Sequence, residues 1–269
     1  MIPTLDMVLG CYYLTNIKPG AKGEGMIFCN MDEAKLAYEL DFIGIDAEIE
    51  VKTDKSDNGR LKTSIGRIFF NDIVPSEFEF INQTMDKSTL KRLVSDCYHA
   101  LGNETTATML DNLKKTGFEY ATKSGTTIAA QDIEVPRSKS KLLEEGNEQV
   151  ALIERQYNRG LLTDSERYYD TVKIWTDTTG KIQKAIEDSL NRYGGLYIMA
   201  NSGAKGNIGQ ITQMAGMRGL MTDPSGRIIE FPIKSSFREG LNVMEYLFPL
   251  TVHAKVWLTL RCEHQKPVT

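Results

Sequence analysis

The chain has 269 residues, 41% of them hydrophobic and 25% charged, with a formal net charge of −4, which is ordinary for a globular protein of one large or two small domains. The acidic balance argues against a surface that binds nucleic acid as a whole, and no apolar run approaches the roughly 20 residues of a membrane span. The N-terminus lacks the basic and apolar parts of a signal peptide, and the 4 cysteines show no CxxC pairing. We therefore expect a cytoplasmic protein with reduced thiols and no membrane contact.

The first part of the chain predicts short helices around a few strands. Apolar residues at helical spacing predict a helix over 4–15 and a second through 34–40. Alternation of apolar and charged residues over 47–53 predicts a strand. The run 61–74 predicts one or two further strands, broken at Gly66.

Two further helices are predicted from residue 86 onward. We expect Asp86 and Asn103 to be their N-caps, because short polar side chains satisfy the free N–H groups of a first turn. Gly102 and Gly117 are the expected stops, because glycine favours the left-handed conformation that ends helices.

The clearest local pattern is a pair of striped helices separated by a turn. The first stripe alternates spacings of three and four through Leu143, Gly146, Val150, Ile153 and Tyr157. The second stripe comprises Val172, Trp175, Thr179, Ile182, Ile186 and Leu190. Gly160 favours a helix stop, and Thr163 with Glu166 forms a capping box. The pattern predicts an antiparallel hairpin over 138–191, either as the core of an ordinary bundle or as an arm that presents its tip to partners.

Residues 200–246 combine closely spaced glycines with basic side chains. The basic residues Lys205, Arg218, Arg227 and Arg238 lie within this stretch. Such a composition indicates a backbone held close to an anion or packed tightly, although a surface turn would explain any single piece.

Several stretches carry a resemblance to a known family. They are Thr-Leu-Asp-Met-Val-Leu-Gly-Cys-Tyr-Tyr-Leu-Thr at 4–15, Thr-Ser-Ile-Gly-Arg-Ile-Phe-Phe-Asn at 63–71 and the glycine-rich residues 200–246. In these motifs the chain resembles the largest catalytic subunit, β′, of bacterial DNA-directed RNA polymerase. The resemblance implies an α+β fold, mainly α with small β elements, in which the two striped helices form a coiled-coil hairpin.

The resemblance divides the chain into four regions. It implies a funnel or secondary-channel region over 1–130 and the rim-helix hairpin over 131–193. The channel wall, the F-loop and the start of the bridge helix follow over 194–248. The tail, 249–269, does not resemble β′, but the family's continuation Ser-Thr-His-Gly-Ala-Arg-Lys-Gly, read one base out of frame, yields it. We therefore expect an out-of-frame tail that has no evolved partner.

One substrate contact is implied by the resemblance. In the family, an Arg in the pattern Ser-Gly-Ala-Arg-Gly faces the triphosphate of the incoming nucleotide, and the matching position here is Lys205. Lysine keeps the charge but loses the bidentate fork of arginine. The F-loop, which in the family braces the bridge helix, corresponds to Arg218, Gly219, Asp223 and Gly226.

The family's metal chemistry has no counterpart in this chain. In the family, three Asp of the motif Asn-Ala-Asp-Phe-Asp-Gly-Asp hold Mg²⁺, because hard cations prefer carboxylate oxygens. The chain lacks that motif. We therefore expect no catalytic residue and no metal ligand here, and no activity from the isolated chain.

The resemblance implies part of an enzyme that transcribes DNA into RNA from ribonucleoside triphosphates. Its partners would be the β, α, ω and sigma subunits, the DNA template and the RNA, with transcript-cleavage regulators docked on the hairpin. The alternative is a non-catalytic helical interaction module whose hairpin docks a transcription regulator. Upstream DNA that encodes the three-aspartate motif in frame would favour the enzyme.

Overall fold

The computed structural model describes residues 3–52, 59–223 and 226–246. The chain divides into two compact units. Met1–Ile128 and Asn191–Gly206 form the first unit, and Ala129–Leu190 and Asn207–Thr269 form the second. The four functional regions inferred from the resemblance stay a prediction, and the tail 249–269 lies outside the described residues.

Helices dominate the described elements, with one small sheet, which confirms the mainly α fold. In chain order the elements are α1 (Asp6–Thr15), β1 (Ile27–Phe28), α2 (Met31–Glu39), β2 (Glu48–Lys52), β3 (Arg60–Ser64), α3 (Ile65–Asn71), α4 (Lys87–Ser124), a 3₁₀ turn (Ala130–Asp132), α5 (Lys139–Asn158), α6 (Asp164–Ser189), α7 (Gly195–Asn201), α8 (Ile208–Ile211) and a π-helical segment (Thr212–Gly216). β1 pairs parallel with β2, and β2 pairs antiparallel with β3. Over the ranges that the structure describes, no helix is both long and apolar enough to cross a membrane.

Helix α1 lies in the core of the first unit. Val8, Cys11 and Leu14 are fully buried along it. Gly10 faces Gly117 of α4, where an added Cβ would lie 1.8 Å from the Gly117 carbonyl oxygen. The backbones of α1 and α4 are therefore in direct contact, which only glycine permits.

The strand expected after Gly66 is wrong. This part of the run 61–74 is α3, because the Ser64 side chain accepts a hydrogen bond from the Arg67 N–H at 3.3 Å and caps a helix. A Cβ on Gly66 would lie 1.8 Å from the Leu14 carbonyl oxygen. Gly66 therefore allows close packing against the Leu14 backbone. The presence of a glycine in the sequence does not by itself distinguish that role from a strand break.

Of the two helix ends predicted within α4, the one at Gly102 is confirmed and the one at Gly117 is wrong. Asp86 caps it as predicted, accepting from the Thr89 N–H at 2.8 Å, and Gly102 breaks its regular geometry with φ of 79°. The stop predicted at Gly117 is wrong, because α4 continues to Ser124. That glycine instead provides the close contact with α1.

The hairpin predicted for 138–191 is confirmed within the second unit. α5 and α6 pack together and are joined by a turn over 159–163, where Gly160 has φ of 73°. The Thr163 hydroxyl accepts from the Glu166 N–H at 3.3 Å, and the Glu166 carboxylate accepts from the Thr163 N–H at 2.8 Å. These reciprocal bonds are the predicted capping box.

Candidate functional site

The loop after α7 is held in one backbone path. The buried Ser202 hydroxyl donates to the Met199 carbonyl at 3.1 Å and accepts from the Ala204 N–H at 3.2 Å. The Ser202 carbonyl accepts from the Lys87 N–H, at the start of α4, at 3.0 Å. Gly203 has φ of 71°, and a Cβ there would lie 3.1 Å from the Lys87 Cβ. The loop is therefore fixed to the first turn of α4.

Lys205 projects from this fixed loop. Its side chain is exposed. Within 3–52, 59–223 and 226–246, no side chain pairs with its ammonium group. The loop therefore presents a positive charge that is free to contact an anion.

In the second unit, residues 218–223 and 226–235 form a narrow ribbon. Gly219 and Ile233 exchange backbone hydrogen bonds of 3.0 and 2.9 Å, and Thr222 forms a bridge with Ile228. The Asp223 N–H donates to the Arg227 carbonyl at 2.7 Å. Gly226 donates to the Asp223 carbonyl at 2.8 Å, and its φ of 87° is a backbone conformation that favours glycine.

The ribbon is attached to α6 by an arginine fork. Arg167 Nη1 and Nη2 donate to the two carboxylate oxygens of Glu230 at 2.5 and 3.2 Å. Only 21% of the Arg167 side chain and 20% of the Glu230 side chain are exposed. A bidentate geometry of this kind fixes orientation as well as distance.

Aromatic contacts on α6 add to the attachment. The Tyr168 hydroxyl donates to the Ile228 carbonyl at 2.9 Å, and the Arg227 guanidinium lies 4.7 Å from the centre of the Tyr168 ring. Farther along, the Lys234 ammonium lies 4.9 Å from the centre of a Trp175 ring. The ribbon is therefore bound to the part of α6 between Arg167 and Trp175.

The ribbon also meets the next helical turn of the chain. Residues 243–246 are helical. The Glu245 carboxylate accepts from the Lys234 N–H at 3.2 Å and from the Ser235 N–H at 3.3 Å. The end of the ribbon thus holds the start of this helix.

Two of the basic residues have contacts that fit a structural role. The Arg218 guanidinium lies 5.5 Å from the centre of the Phe237 ring. Arg238 donates to the Ala130 carbonyl. Both contacts lie inside the second unit.

Comparisons with known proteins identify the family to which these motifs belong. The family model described as RNA polymerase Rpb1, domain 3, matches residues 1–133, and the one described as domain 4 matches residues 162–241. The β′ subunit of DNA-directed RNA polymerase from Dehalococcoides mccartyi (strain 195) is 53% identical over 244 residues, 91% of this chain. That of Desulforamulus reducens is 50% identical over 244 residues, also 91% of this chain.

The chain belongs to the RNA polymerase largest-subunit family. It spans about a fifth of the length of these relatives, 19% of the D. mccartyi subunit and 20% of the D. reducens subunit. The resemblance inferred from the motifs is confirmed.

All of the candidate site residues fall within the domain 4 match. The domain 4 match, over 162–241, contains α6, Lys205 and the whole ribbon. The roles of Lys205 as a phosphate contact and of Arg218, Gly219, Asp223 and Gly226 as F-loop residues stay predictions. Lys205 lies in the first unit and the ribbon in the second.

Mg²⁺, which the polymerase family uses, has no ligand set in the described part of the chain. Residues 3–52, 59–223 and 226–246 contain no group of three or more His, Cys, Asp or Glu side chains arranged to hold a metal.

The sequence analysis did not predict the fork between Arg167 and Glu230. Its partners are 63 positions apart. No local pattern connects Arg167 with Glu230, because local patterns relate residues that are only a few positions apart. The one available signal was the capping box at Thr163, which fixes the first turn of α6 and so the direction of Arg167.

Proposed function

We propose that this chain is part of the β′ subunit of a DNA-directed RNA polymerase that transcribes DNA into RNA from ribonucleoside triphosphates. Within that enzyme it would form part of the secondary channel and the nucleotide-entry side of the active centre. Identity of 53% over 91% of the chain with a β′ subunit supports the first statement. The exposed Lys205 on an anchored loop supports the second.

Lys205 would contact the triphosphate of the incoming nucleotide. An ammonium group is a compact positive charge, and it attracts phosphate without the fixed geometry of a guanidinium. The anchoring of Ser202 and Gly203 on α4 limits the loop's freedom, so less order is lost when the phosphate binds.

The other components of the enzyme would supply what this chain lacks. We place the Mg²⁺ ligands elsewhere in the parent subunit, and we expect the β, α, ω and sigma subunits, the DNA template and the RNA to be the partners. The isolated chain should incorporate no nucleotide, with or without Mg²⁺. We place the working complex in the cytoplasm.

The test uses a polymerase in which residues 1–246 of this chain replace the matched segment of the D. mccartyi β′ subunit. Lys205→Ala should raise the KM for nucleotides about tenfold, because a hydrogen bond to a charged group is lost. Lys205→Arg should retain a low KM. The matched control is Lys115→Ala, since Lys115 is also an exposed lysine, on α4. An unchanged KM and kcat in the Lys205→Ala enzyme would remove Lys205 from the site.

A second candidate function is a non-catalytic interaction module whose hairpin docks a transcription regulator. Large apolar side chains near the hairpin tip favour it, since Leu161 and Tyr169 are each 69% exposed. In the parent enzyme the same surface would receive transcript-cleavage regulators. An independent gene start directly upstream of this chain would favour the module.

A further inference from the structure

Arg167 joins three parts of the second unit. Besides its fork with Glu230, its guanidinium bonds Asp164 Oδ1 through Nη2 at 2.9 Å. Its Cζ also lies 5.3 Å from the centre of the Tyr157 ring, at the end of α5. One side chain therefore contacts both helices beside the tip turn 159–163 and the ribbon.

The fork is a stronger tie than the exposed ion pairs of this chain. Both of its side chains are about four-fifths buried, so water screens the charges less than at the surface. Hydrogen bonds to Glu230, and then to Asp164, raise the pKa of the Arg167 guanidinium above its ordinary value. The positive charge at this position is therefore permanent at any working pH.

The ribbon connects this tie to the following helix. Glu230 lies on its returning strand, four residues before Lys234, whose N–H donates to Glu245 at 3.2 Å. The adjacent Ser235 N–H donates to the same carboxylate at 3.3 Å. A displacement at Glu230 would therefore be transmitted through a short, hydrogen-bonded strand to the helical residues 243–246.

We propose that Arg167 is a positioning residue that fixes the ribbon, and with it the start of the following helix, against the hairpin, and so sets the rate of nucleotide addition. The inference rests on the proposed function. Arg167 touches no substrate in this scheme. Its effect is on the orientation of the ribbon, and therefore on turnover rather than on nucleotide affinity.

The test is a double-mutant cycle in the same D. mccartyi polymerase that carries residues 1–246 of this chain. Arg167→Ala and Glu230→Ala should each lower kcat about tenfold, because a small misplacement of positioning elements is costly even when the mutation lies far from the chemistry. The KM for nucleotides should change by less than about twofold, since the phosphate contact at Lys205 is intact. The double variant should be no slower than the slower single variant, because both changes remove one tie.

Two further variants separate positioning from folding. Arg167→Lys keeps the charge but loses the fork, so it should fold normally and still lower kcat. Arg155→Ala is the matched control, because Arg155 is an exposed arginine of α5 and its side chain pairs with no other side chain among the described residues. Thermal unfolding of each 269-residue chain, followed by circular dichroism, identifies any variant that fails to fold.

The outcomes distinguish this inference from the proposed function. If Lys205→Ala raises KM as expected while Arg167→Lys, with an intact fold, leaves kcat unchanged, the inference is overturned and the proposed function stands. Additive losses in the cycle, or a rise in KM in place of a fall in kcat, would also overturn it. An enzyme that adds no nucleotide with the unmodified segment would reject the proposed function, and the inference with it.

Discussion

The two units of this chain hold their longest helices in different ways. In the first, α1 is buried along most of its length and touches α4 backbone to backbone through Gly10 and Gly117. In the second, the stripe of α5 is only half-buried, apart from the buried Gly146 and the exposed Tyr157. There the ribbon is attached by side chains, above all by the fork between Arg167 and Glu230.

This difference predicts how each unit responds to change. A close backbone contact has no flexible atom to move aside, so an added methyl group must shift a whole helix. Contacts between long polar side chains yield more easily and depend on geometry and charge. The stability of the first unit should therefore depend most on the volume of the side chains at its helix contact. The stability of the second unit should depend most on side-chain charge and on helix capping.

The largest effect is expected at the contact between α1 and α4. Gly10→Ala would place a Cβ 1.8 Å from the Gly117 carbonyl oxygen and 2.8 Å from the Ala121 nitrogen. We expect a loss of about 3 kcal/mol or more in the free energy of unfolding, measured by chemical denaturation. The control is Gly180→Ala on α6, where no atom lies within 4 Å of the added Cβ. That variant should gain up to about 1 kcal/mol. Equal stability of the two variants would contradict the backbone contact.

The next effect concerns the thiol buried beside that contact. Burial raises the pKa of Cys11 from 9.0 to about 12. The folded state therefore keeps a proton that the unfolded chain releases above pH 9.0. The stability from this group is complete below that pH, and it is lost as the pH rises toward about 12.

The free energy of unfolding should fall by about 1 kcal/mol per pH unit across that window on account of Cys11. Burial also raises the pKa of Tyr12, so the wild-type slope alone is not diagnostic. The measurement is the difference in slope between the wild type and Cys11→Ala. Parallel slopes would show that the thiol is not shielded from water.

The sequence predicted those features that depend on neighbouring residues. The capping box at Thr163 and the cap at Asp86 are local patterns, and both are confirmed. The hairpin followed from the period of its stripes. These predictions succeed because the partner groups lie within a few residues of each other.

The sequence failed where one residue type serves two purposes. Gly66 and Gly117 were read as breaks, but each allows another backbone to approach, at Leu14 and Met7 respectively. A glycine's own neighbours do not reveal which role applies. The fork at Arg167 was missed for the same reason, since its partner Glu230 is distant in sequence.

A smaller effect is expected at the hairpin tip. Thr163→Ala removes the hydroxyl that caps α6 and should cost about 1 kcal/mol of stability. Thr163→Ser should retain the cap and serves as the control.

The capping box should also make stability depend on pH. Hydrogen bonds from Thr163 lower the pKa of Glu166, so the contribution of that carboxylate to stability is present at neutral pH and is lost as the pH falls through its folded pKa. The unfolding midpoints of both variants, compared at neutral and acidic pH, test this, and coincident midpoints throughout would argue against the capping box.

The smallest effect is expected at an exposed ion pair of the first unit. Lys123 and Glu119 lie 2.6 Å apart on α4 and are 51% and 57% exposed. A double-mutant cycle to alanine should give a coupling energy of about 0.3 kcal/mol, because water screens the pair and ordering the side chains costs entropy. The same cycle at Arg167 and Glu230 should give about 1–2 kcal/mol, since that pair is bidentate and largely buried. If the two coupling energies were equal, the fork would be no more than a surface ion pair, and the second unit would need another explanation for how its ribbon is held.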